Sequence, residues 1–226
     1  MSIADNIKRL KKETDTIKVQ LIAVSKTKPE EEIMEAYNAG QRVFGENMVQ
    51  ELVEKYEQLP KNIQWHLIGH LQSNKVKYIA PFVQLIHAVD SFKLLLEINK
   101  QAAKNNRTID VLLQMHIASE ETKFGMDEKE IIELLDYYTA QQADLKNIRI
   151  CGLMGMATNT DNTHQIRAEF DRLHIVFKNL SKSYFLAKQY FSIMSIGMSS
   201  DYEMAIAAGG NMVRIGSLLF GERNYA

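Results

Sequence analysis

The sequence has little of what marks several classes of protein. Its 226 residues include one cysteine, Cys151, which excludes an internal disulfide framework and a cysteine-rich metal site. Three prolines and eleven glycines form no Pro- or Gly-rich linker. The longest apolar runs, such as residues 150–156, are far shorter than a membrane span. These absences exclude a disulfide scaffold and a spanning helix, and they indicate one domain over residues 1–226.

An excess of one charge sign is also lacking. Lysine and arginine total 27 and aspartate and glutamate total 28, so the formal net charge is −1. This balance excludes nucleic acid or an anionic membrane as a partner bound mainly through charge. Residues 1–13 are polar and charged, unlike a signal sequence. We therefore predict a cytoplasmic protein with no nucleic-acid or membrane partner.

Eight apolar runs recur along the chain, and amphipathic helix patterns lie between them. Most runs are continuously apolar, as expected for parallel strands that are buried on both faces. This alternation predicts a (β/α)₈ TIM barrel, with an extra N-terminal helix at 2–15 that would close its bottom. A doubly wound open sheet is the alternative, although no G-x-G-x-x-G sequence follows the first strand. The predicted strands are 21–25, 42–45, 65–68, 85–89, 110–117, 148–156, 191–196 and 211–215, and the helices include 29–39, 126–138, 163–180 and 200–208.

Lys26 directly follows the first apolar run, at the end of a strand where barrel active sites lie. Its neighbours would partly desolvate the amine, which lowers the pKa and favours the neutral form that Schiff-base formation requires. Lys28 would lower that pKa further through its charge, or it is simply a loop lysine. The alternative for Lys26 is an ordinary strand-end lysine that points to solvent.

Two clusters near the C-terminus predict a phosphate site. Ser199 and Ser200 precede a short helix, so hydroxyl and backbone N–H groups converge at its N-terminus. Gly216 and Ser217 repeat this arrangement after the last strand. The loops after strands seven and eight are the usual phosphate site of such barrels. The alternative is that Ser199 and Asp201 are only helix N-caps.

Three polar residues follow or interrupt other apolar runs. Arg214 lies within the last strand, where its guanidinium must pair with a buried acid or meet a ligand at the barrel mouth. Asn47 lies at the mouth of the second strand. Glu46 is either the partner of Asn47 or an acid that orients a lysine.

Histidines on separate strands make a zinc site conceivable, but no carboxylate pattern supports it. His66, His70, His87 and His116 are therefore predicted to be core or rim histidines, and no metal is expected.

The sequence resembles the pyridoxal phosphate homeostasis proteins through seven motifs in the same order. The resemblance extends from about residue 20 to the C-terminus. The motifs are AVSKTKP (23–29), FGEN (44–47), HLIGHLQSNK (66–75), KFG (123–125), GLMGMA (152–157), SIGMSSD (195–201) and VRIGSLLFGER (213–223).

The resemblance implies a barrel like the alanine racemase N-terminal domain, the type III fold of pyridoxal phosphate proteins. It implies that Lys26 forms a Schiff base with pyridoxal 5′-phosphate and that Arg214 lies near the pyridine nitrogen. Asn47 would pack beside the cofactor. The phosphate would be held by Ser199, Ser200, Gly216 and Ser217.

The family is described as binding and buffering this cofactor, without an established reaction. The resemblance therefore implies a carrier with pyridoxal phosphate-dependent apo-enzymes as partners, and the lack of the racemase dimerisation domain favours a monomer. An amino-acid racemase or lyase is the alternative, and a phosphosugar aldolase-type barrel is a third. Because the sequence ends just past the last strand, we expect no second domain that supplies a catalytic base.

Overall fold

Eight parallel strands form a closed barrel in the computed structural model, which describes residues 2–120 and 124–222. Each strand pairs with the next, and β8 pairs with β1. The predicted TIM barrel is thus confirmed, while Lys123 and Arg223 of the motifs lie outside the described residues. The strands are β1 (Gln20–Val24), β2 (Val43–Glu46), β3 (Gln64–Leu67), β4 (Leu85–Val89), β5 (Ile109–Gln114), β6 (Ile148–Met154), β7 (Ile193–Ser195) and β8 (Met212–Ile215).

Helices cover the outside of the barrel, and four of those described begin at a polar side-chain cap: Ser2, Ser91, Asp127 and Asn162. Ser2 and Asp127 each form a capping box, in which side chain and backbone satisfy each other's hydrogen bonds. Pro29 precedes α2 as its N-cap residue. The helices are α1 (Ile3–Thr16), α2 (Glu30–Asn38), α3 (Val49–Gln58), α4 (Val76–Ile79), α5 (Phe92–Lys104), α6 (Glu128–Ala140), α7 (Thr163–Tyr184), α8 (Tyr202–Ala207) and α9 (Ser217–Phe220).

The N-terminal helix α1 lies beside the barrel, so the expectation that it closes the bottom is wrong. It packs against β1, α2 and α9 in the outer layer. Its buried face includes Ile7 and Leu10, and the Asn6 side chain donates a hydrogen bond to the Leu219 carbonyl at 3.2 Å. The apolar stripe of an amphipathic helix buries more apolar surface against neighbouring helices than it would beneath the polar ends of the strands.

The core has two layers, one between strands and helices and one inside the barrel. Within the described residues, no helix is both long and apolar enough to cross a bilayer. The interior layer mixes branched, sulfur-containing and small side chains, which fill the barrel rather than leave a pore. It consists of Ile22, Val43, Leu85, Ala88, Leu112, Cys151, Met154 and Met212.

Candidate functional site

A cavity of about 400 Å³ opens at the carboxyl ends of the strands. This volume is within the range of small-molecule sites. All seven residues predicted to bind the cofactor line it, although they come from separate parts of the sequence. They are Lys26, Asn47, Ser199, Ser200, Arg214, Gly216 and Ser217.

Lys26 follows β1 at the cavity wall and is partly buried. The next residue, Thr27, has a φ of 63°, a left-handed conformation that is unfavourable for a β-branched side chain. Its N–H donates a hydrogen bond to Glu51 Oε1 at 2.6 Å. This bond holds the chain in the turn that directs Lys26 away from the strand.

A buried ion cluster lies behind this turn. The Lys55 ammonium on α3 contacts the Ser25 carbonyl at 2.7 Å, Glu46 Oε1 at 2.8 Å and Glu51 Oε1 at 2.6 Å. The Ser25 hydroxyl also donates to Glu46 Oε1 at 2.6 Å. Both neighbours of Lys26 in the chain are therefore attached to one cluster.

Glu46 does orient a lysine, and that lysine is Lys55. Burial raises the pKa of Glu46 to about 7, while the charge and hydrogen bonds of Lys55 and Ser25 act in the opposite direction. Lys55 has no counterpart among the sequence predictions. Its four-residue spacing from Glu51 was the only signal, and that spacing is typical of exposed helix pairs.

Lys28 also lines the cavity, but its ammonium is engaged elsewhere. It donates to the Phe220 carbonyl at 3.0 Å and pairs with Glu32 Oε2 at 3.2 Å. These contacts tie the loop after β1 to α9 and α2. Lys28 thus lies in the loop and brings a positive charge to the cavity wall that also holds Lys26.

The two predicted phosphate loops contact each other. The Gly216 N–H donates to Ser199 Oγ at 3.2 Å, and Ser200 and Ser217 line the cavity beside them. Asp201 Oδ1 accepts a hydrogen bond from the Met198 N–H at 2.6 Å and makes no side-chain cap on α8. Asp201 is thus the N-cap residue of α8, as in the alternative interpretation, but without a capping side-chain hydrogen bond, whereas Ser199 is not a cap residue.

Arg214 is 4% exposed and reaches the cavity from inside β8. Its Nη1 donates to the carbonyl and hydroxyl oxygens of Ser195 at 2.7 and 2.6 Å, and its Nη2 donates to the Gly155 carbonyl at 3.0 Å. Burial lowers its pKa to about 10, so it remains a cation at neutral pH. No carboxylate within residues 2–120 and 124–222 forms an ion pair with it. Of the two alternatives for Arg214, the buried acid is thus not a direct partner: neutral oxygen atoms contact the guanidinium, and the charge of Asp201 favours its cationic form.

Asn47 is placed by a close backbone approach. A Cβ atom on Gly69 would lie 2.5 Å from the Asn47 carbonyl oxygen, so only glycine fits at the end of β3. This contact holds the loop between β2 and α3 at the cavity wall, where Asn47 lies beside Ile68.

The strand histidines are core or rim residues, as predicted. His66 and His87 are buried, with His66 Nδ1 at 3.0 Å from His87 Nε2. His70 pairs with Asp90 at 3.0 Å and stacks on Phe124. In the part of the chain that the structure describes, no three histidine, cysteine or acidic side chains are grouped to bind a metal ion.

The composition of the cavity wall favours an anionic, partly apolar ligand. Lys26, Lys28 and Arg214 contribute positive charge, and none of the described lining residues carries a carboxylate. The apolar part is formed by Val24, Ile68, Met156, Met198 and Leu218. Such a wall suits a flat ring with a phosphate group.

The sequence is similar to one family model and to curated proteins that share one name. The model of the family "Alanine racemase, N-terminal domain" matches residues 1–224. A pyridoxal phosphate homeostasis protein of Aquifex aeolicus is 43% identical over 207 residues, which are 91% of this chain and 88% of that protein. A protein of the same name from Escherichia coli K12 is 38% identical over 213 residues, 92% of this chain and 87% of that protein.

Solved structures with the same barrel include a protein similar in sequence to this chain and an alanine racemase. PipY of Synechococcus elongatus PCC7942, solved with pyridoxal phosphate bound, has a TM-score of 0.85 and 34% identity, and the match covers 97% of this chain and 100% of PipY. An alanine racemase of Streptomyces lavendulae has a TM-score of 0.79 at 16% identity, over 98% of this chain and 57% of the racemase. The racemase thus shares the fold alone.

The buried cluster generates a prediction about stability. Lys55→Met leaves Glu46 as a buried charge without its cation, so we expect the unfolding free energy at pH 8 to fall by about 3–5 kcal/mol. The loss should be smaller at pH 5, because a protonated Glu46 leaves no charge to compensate. Urea denaturation of the wild type and the variant at both pH values measures this loss of unfolding free energy.

Lys129→Met is the matched control, because that side chain is 83% exposed and its ion pair is on the surface. It should change the unfolding free energy by less than about 0.5 kcal/mol. Equal losses for the two variants would show that the cluster does not stabilise the barrel.

Proposed function

Because the chain belongs to the pyridoxal phosphate homeostasis protein family and has the barrel of the alanine racemase N-terminal domain, we propose that it binds and holds pyridoxal 5′-phosphate in this cavity. The observation that carries the proposal is the convergence of Lys26, Arg214 and the two serine-glycine loops on one wall. Its role is cofactor homeostasis, as the name of its relatives states for them.

The residues fit this cofactor chemically. When bound, pyridoxal phosphate supplies an aldehyde that condenses with amines and a ring that withdraws electrons. In our proposal Lys26 provides the amine and holds the cofactor as a Schiff base. Lys28 lies on the same wall, where its ammonium contacts the Phe220 carbonyl and Glu32.

The phosphate is proposed to lie against Ser199, Ser200, Gly216 and Ser217. Gly216 and Ser217 begin the turn of α9, and Ser199 and Ser200 precede α8, so both loops present backbone N–H groups near the cavity. Arg214 and Lys28 add positive charge on the same wall. Asn47 is proposed to pack beside the ring.

We propose that Arg214 faces the ring nitrogen. A guanidinium there disfavours protonation of that nitrogen, which makes the ring a weaker electron sink than one paired with a carboxylate. In this proposal the protein binds the cofactor without using it efficiently in catalysis. A monomeric state, a cytoplasmic location and transfer to pyridoxal phosphate-dependent apo-enzymes complete the proposal.

The first prediction concerns the attachment site. Incubation with pyridoxal phosphate should give a visible absorption band that borohydride removes, and peptide mapping should place the reduced adduct on Lys26. Lys28→Met should leave the adduct on Lys26, whereas Lys26→Met should abolish it. An adduct mainly on Lys28 or Lys75 contradicts the assignment, and absence of the band contradicts cofactor binding and favours an aldolase-type barrel.

The second prediction concerns the phosphate. Pyridoxal without its phosphate should bind much more weakly than pyridoxal phosphate in a spectroscopic titration, because most of the anchor is lost. Ser199→Ala should cost only about 1–3 kcal/mol of binding free energy, since backbone N–H groups remain. Equal affinity for the two compounds would show that the loops are not the anchor.

The third prediction separates a carrier from a racemase or lyase. Amino acids should perturb the spectrum of the loaded protein slowly, while exchange of their Cα hydrogen with deuterated solvent stays near background. Turnover of about 1–10³ per second with any common amino acid would establish the enzyme instead. Lys26→Ala is the control, because turnover that survives it belongs to a contaminant.

A further inference from the structure

A chain of four polar side chains runs from the cavity wall into the barrel interior. Arg214 Nη1 contacts Ser195 Oγ at 2.6 Å, Ser195 Oγ lies 3.0 Å from His87 Nδ1, and His87 Nε2 lies 3.0 Å from His66 Nδ1. These residues belong to β8, β7, β4 and β3, and all are buried. We call this chain the interior relay. The proposed cofactor contacts use only Arg214, and leave the role of the other three open.

The interior relay places polar side chains where apolar side chains would otherwise fill the barrel, and burying them costs free energy. The rest of the interior layer is made of aliphatic and sulfur-containing side chains. Burying an imidazole or a hydroxyl among them is unfavourable unless it is hydrogen-bonded. A chain that bonds each member to the next satisfies this condition, so its geometry has to be maintained as a unit.

The guanidinium sets the direction of the hydrogen bonds. Arg214 can only donate, so the Ser195 oxygen accepts from it. In the tautomer that gives the Ser195 hydroxyl proton an acceptor, this hydroxyl donates to His87 Nδ1 and the His87 Nε2–H donates to His66 Nδ1. Each bond dipole points away from the cation, and aligned bonds of this kind strengthen one another. In the opposite direction, the Ser195 oxygen would accept from both Arg214 and His87.

The histidines keep the relay neutral. Burial lowers the pKa of His66 to about 3. Burial, and then the nearby His66 and Arg214, lower the pKa of His87 well below its ordinary value. Both imidazoles therefore donate and accept without adding or cancelling charge beside Arg214.

We propose that His87 and His66 are positioning residues that fix the Ser195 hydroxyl, and through it hold the Arg214 guanidinium against the ring nitrogen of the cofactor. The inference rests on the proposed function, because that nitrogen belongs to bound pyridoxal phosphate. Three of the five guanidinium N–H groups are used in the barrel wall. The relay fixes the plane of the group, and the charge of Asp201 favours its cationic form.

The first test needs no cofactor. In ¹⁵N-labelled protein without pyridoxal phosphate, long-range proton–nitrogen spectra at pH 7.5 should show His66 and His87 neutral, each with its proton on Nε2. His66→Asn and His87→Asn variants assign the two signals. A doubly protonated ring, or a proton on Nδ1 in either residue, overturns the relay.

The second test measures what the relay does for the ring. Pyridoxal phosphate labelled with ¹⁵N in its ring is bound to wild type, His87→Leu, Ser195→Ala and His87→Asn, and the nitrogen shift and dissociation constant are recorded. In wild type the shift should be that of an unprotonated nitrogen. His87→Leu and Ser195→Ala should move it toward the protonated form and raise the dissociation constant about three- to tenfold.

His87→Asn supplies the rescue, because its amide oxygen can accept the Ser195 proton as Nδ1 does; it should restore the wild-type shift. Ser192→Ala is the matched control, an exposed serine just before β7 and outside the relay. Melting curves check that each variant folds. If His87→Leu does not fold, the positioning role is decided by Ser195→Ala alone, which removes only one oxygen atom.

Wild-type shifts and affinities in both His87→Leu and Ser195→Ala overturn the positioning role. If wild type itself binds no cofactor, the proposed function fails, while the spectra of the cofactor-free protein still decide the relay.

Discussion

The pairing of β8 with β1 is the interaction on which the site depends. Ile22 lies opposite Arg214 and Ala23 opposite Ile215, so the last strand ends beside the first. That register brings the Lys26 turn next to Gly216 and Ser217, which follow it by about 190 residues in the sequence. A sheet with the same strand order that did not close would leave β1 and β8 at opposite edges, without this pairing.

Around that seam the barrel buries two cations in different ways. Lys55 is compensated by two carboxylates and a carbonyl, and the cluster shapes the backbone on either side of Lys26. Arg214 is held by neutral oxygen atoms and keeps its charge for the cavity. The first cation stabilises the structure, and the second is the one that we propose contacts the ligand. Their environments differ because a charge that is fully paired has little left to offer a bound molecule.

The strands and the cavity residues could be predicted because each leaves a local pattern. A continuous apolar run marks a strand, and the polar residue that follows it marks the barrel mouth, as for Lys26 and Asn47. The contacts of Arg214 could not be predicted, because sequence shows that a guanidinium is buried but not which oxygen atoms reach it. The role of Lys55 could not be predicted for a related reason. The sequence spacing of an i, i+4 ion pair is the same whether its helix faces solvent or a strand end. The packing of α1 depends on the space between α2 and α9, which only the closed barrel defines.

The shared cluster behind Lys26 also has a consequence for how such a sequence evolves. Lys55 joins the turn that carries Lys26 to the core through the same atoms that stabilise α3 against β2. A substitution that misaligns the amine through this cluster therefore also lowers the folded population, and cells degrade such chains more rapidly. Selection for abundance alone then preserves the position of the lysine, even through generations in which the cofactor is plentiful and its binding is under weak selection.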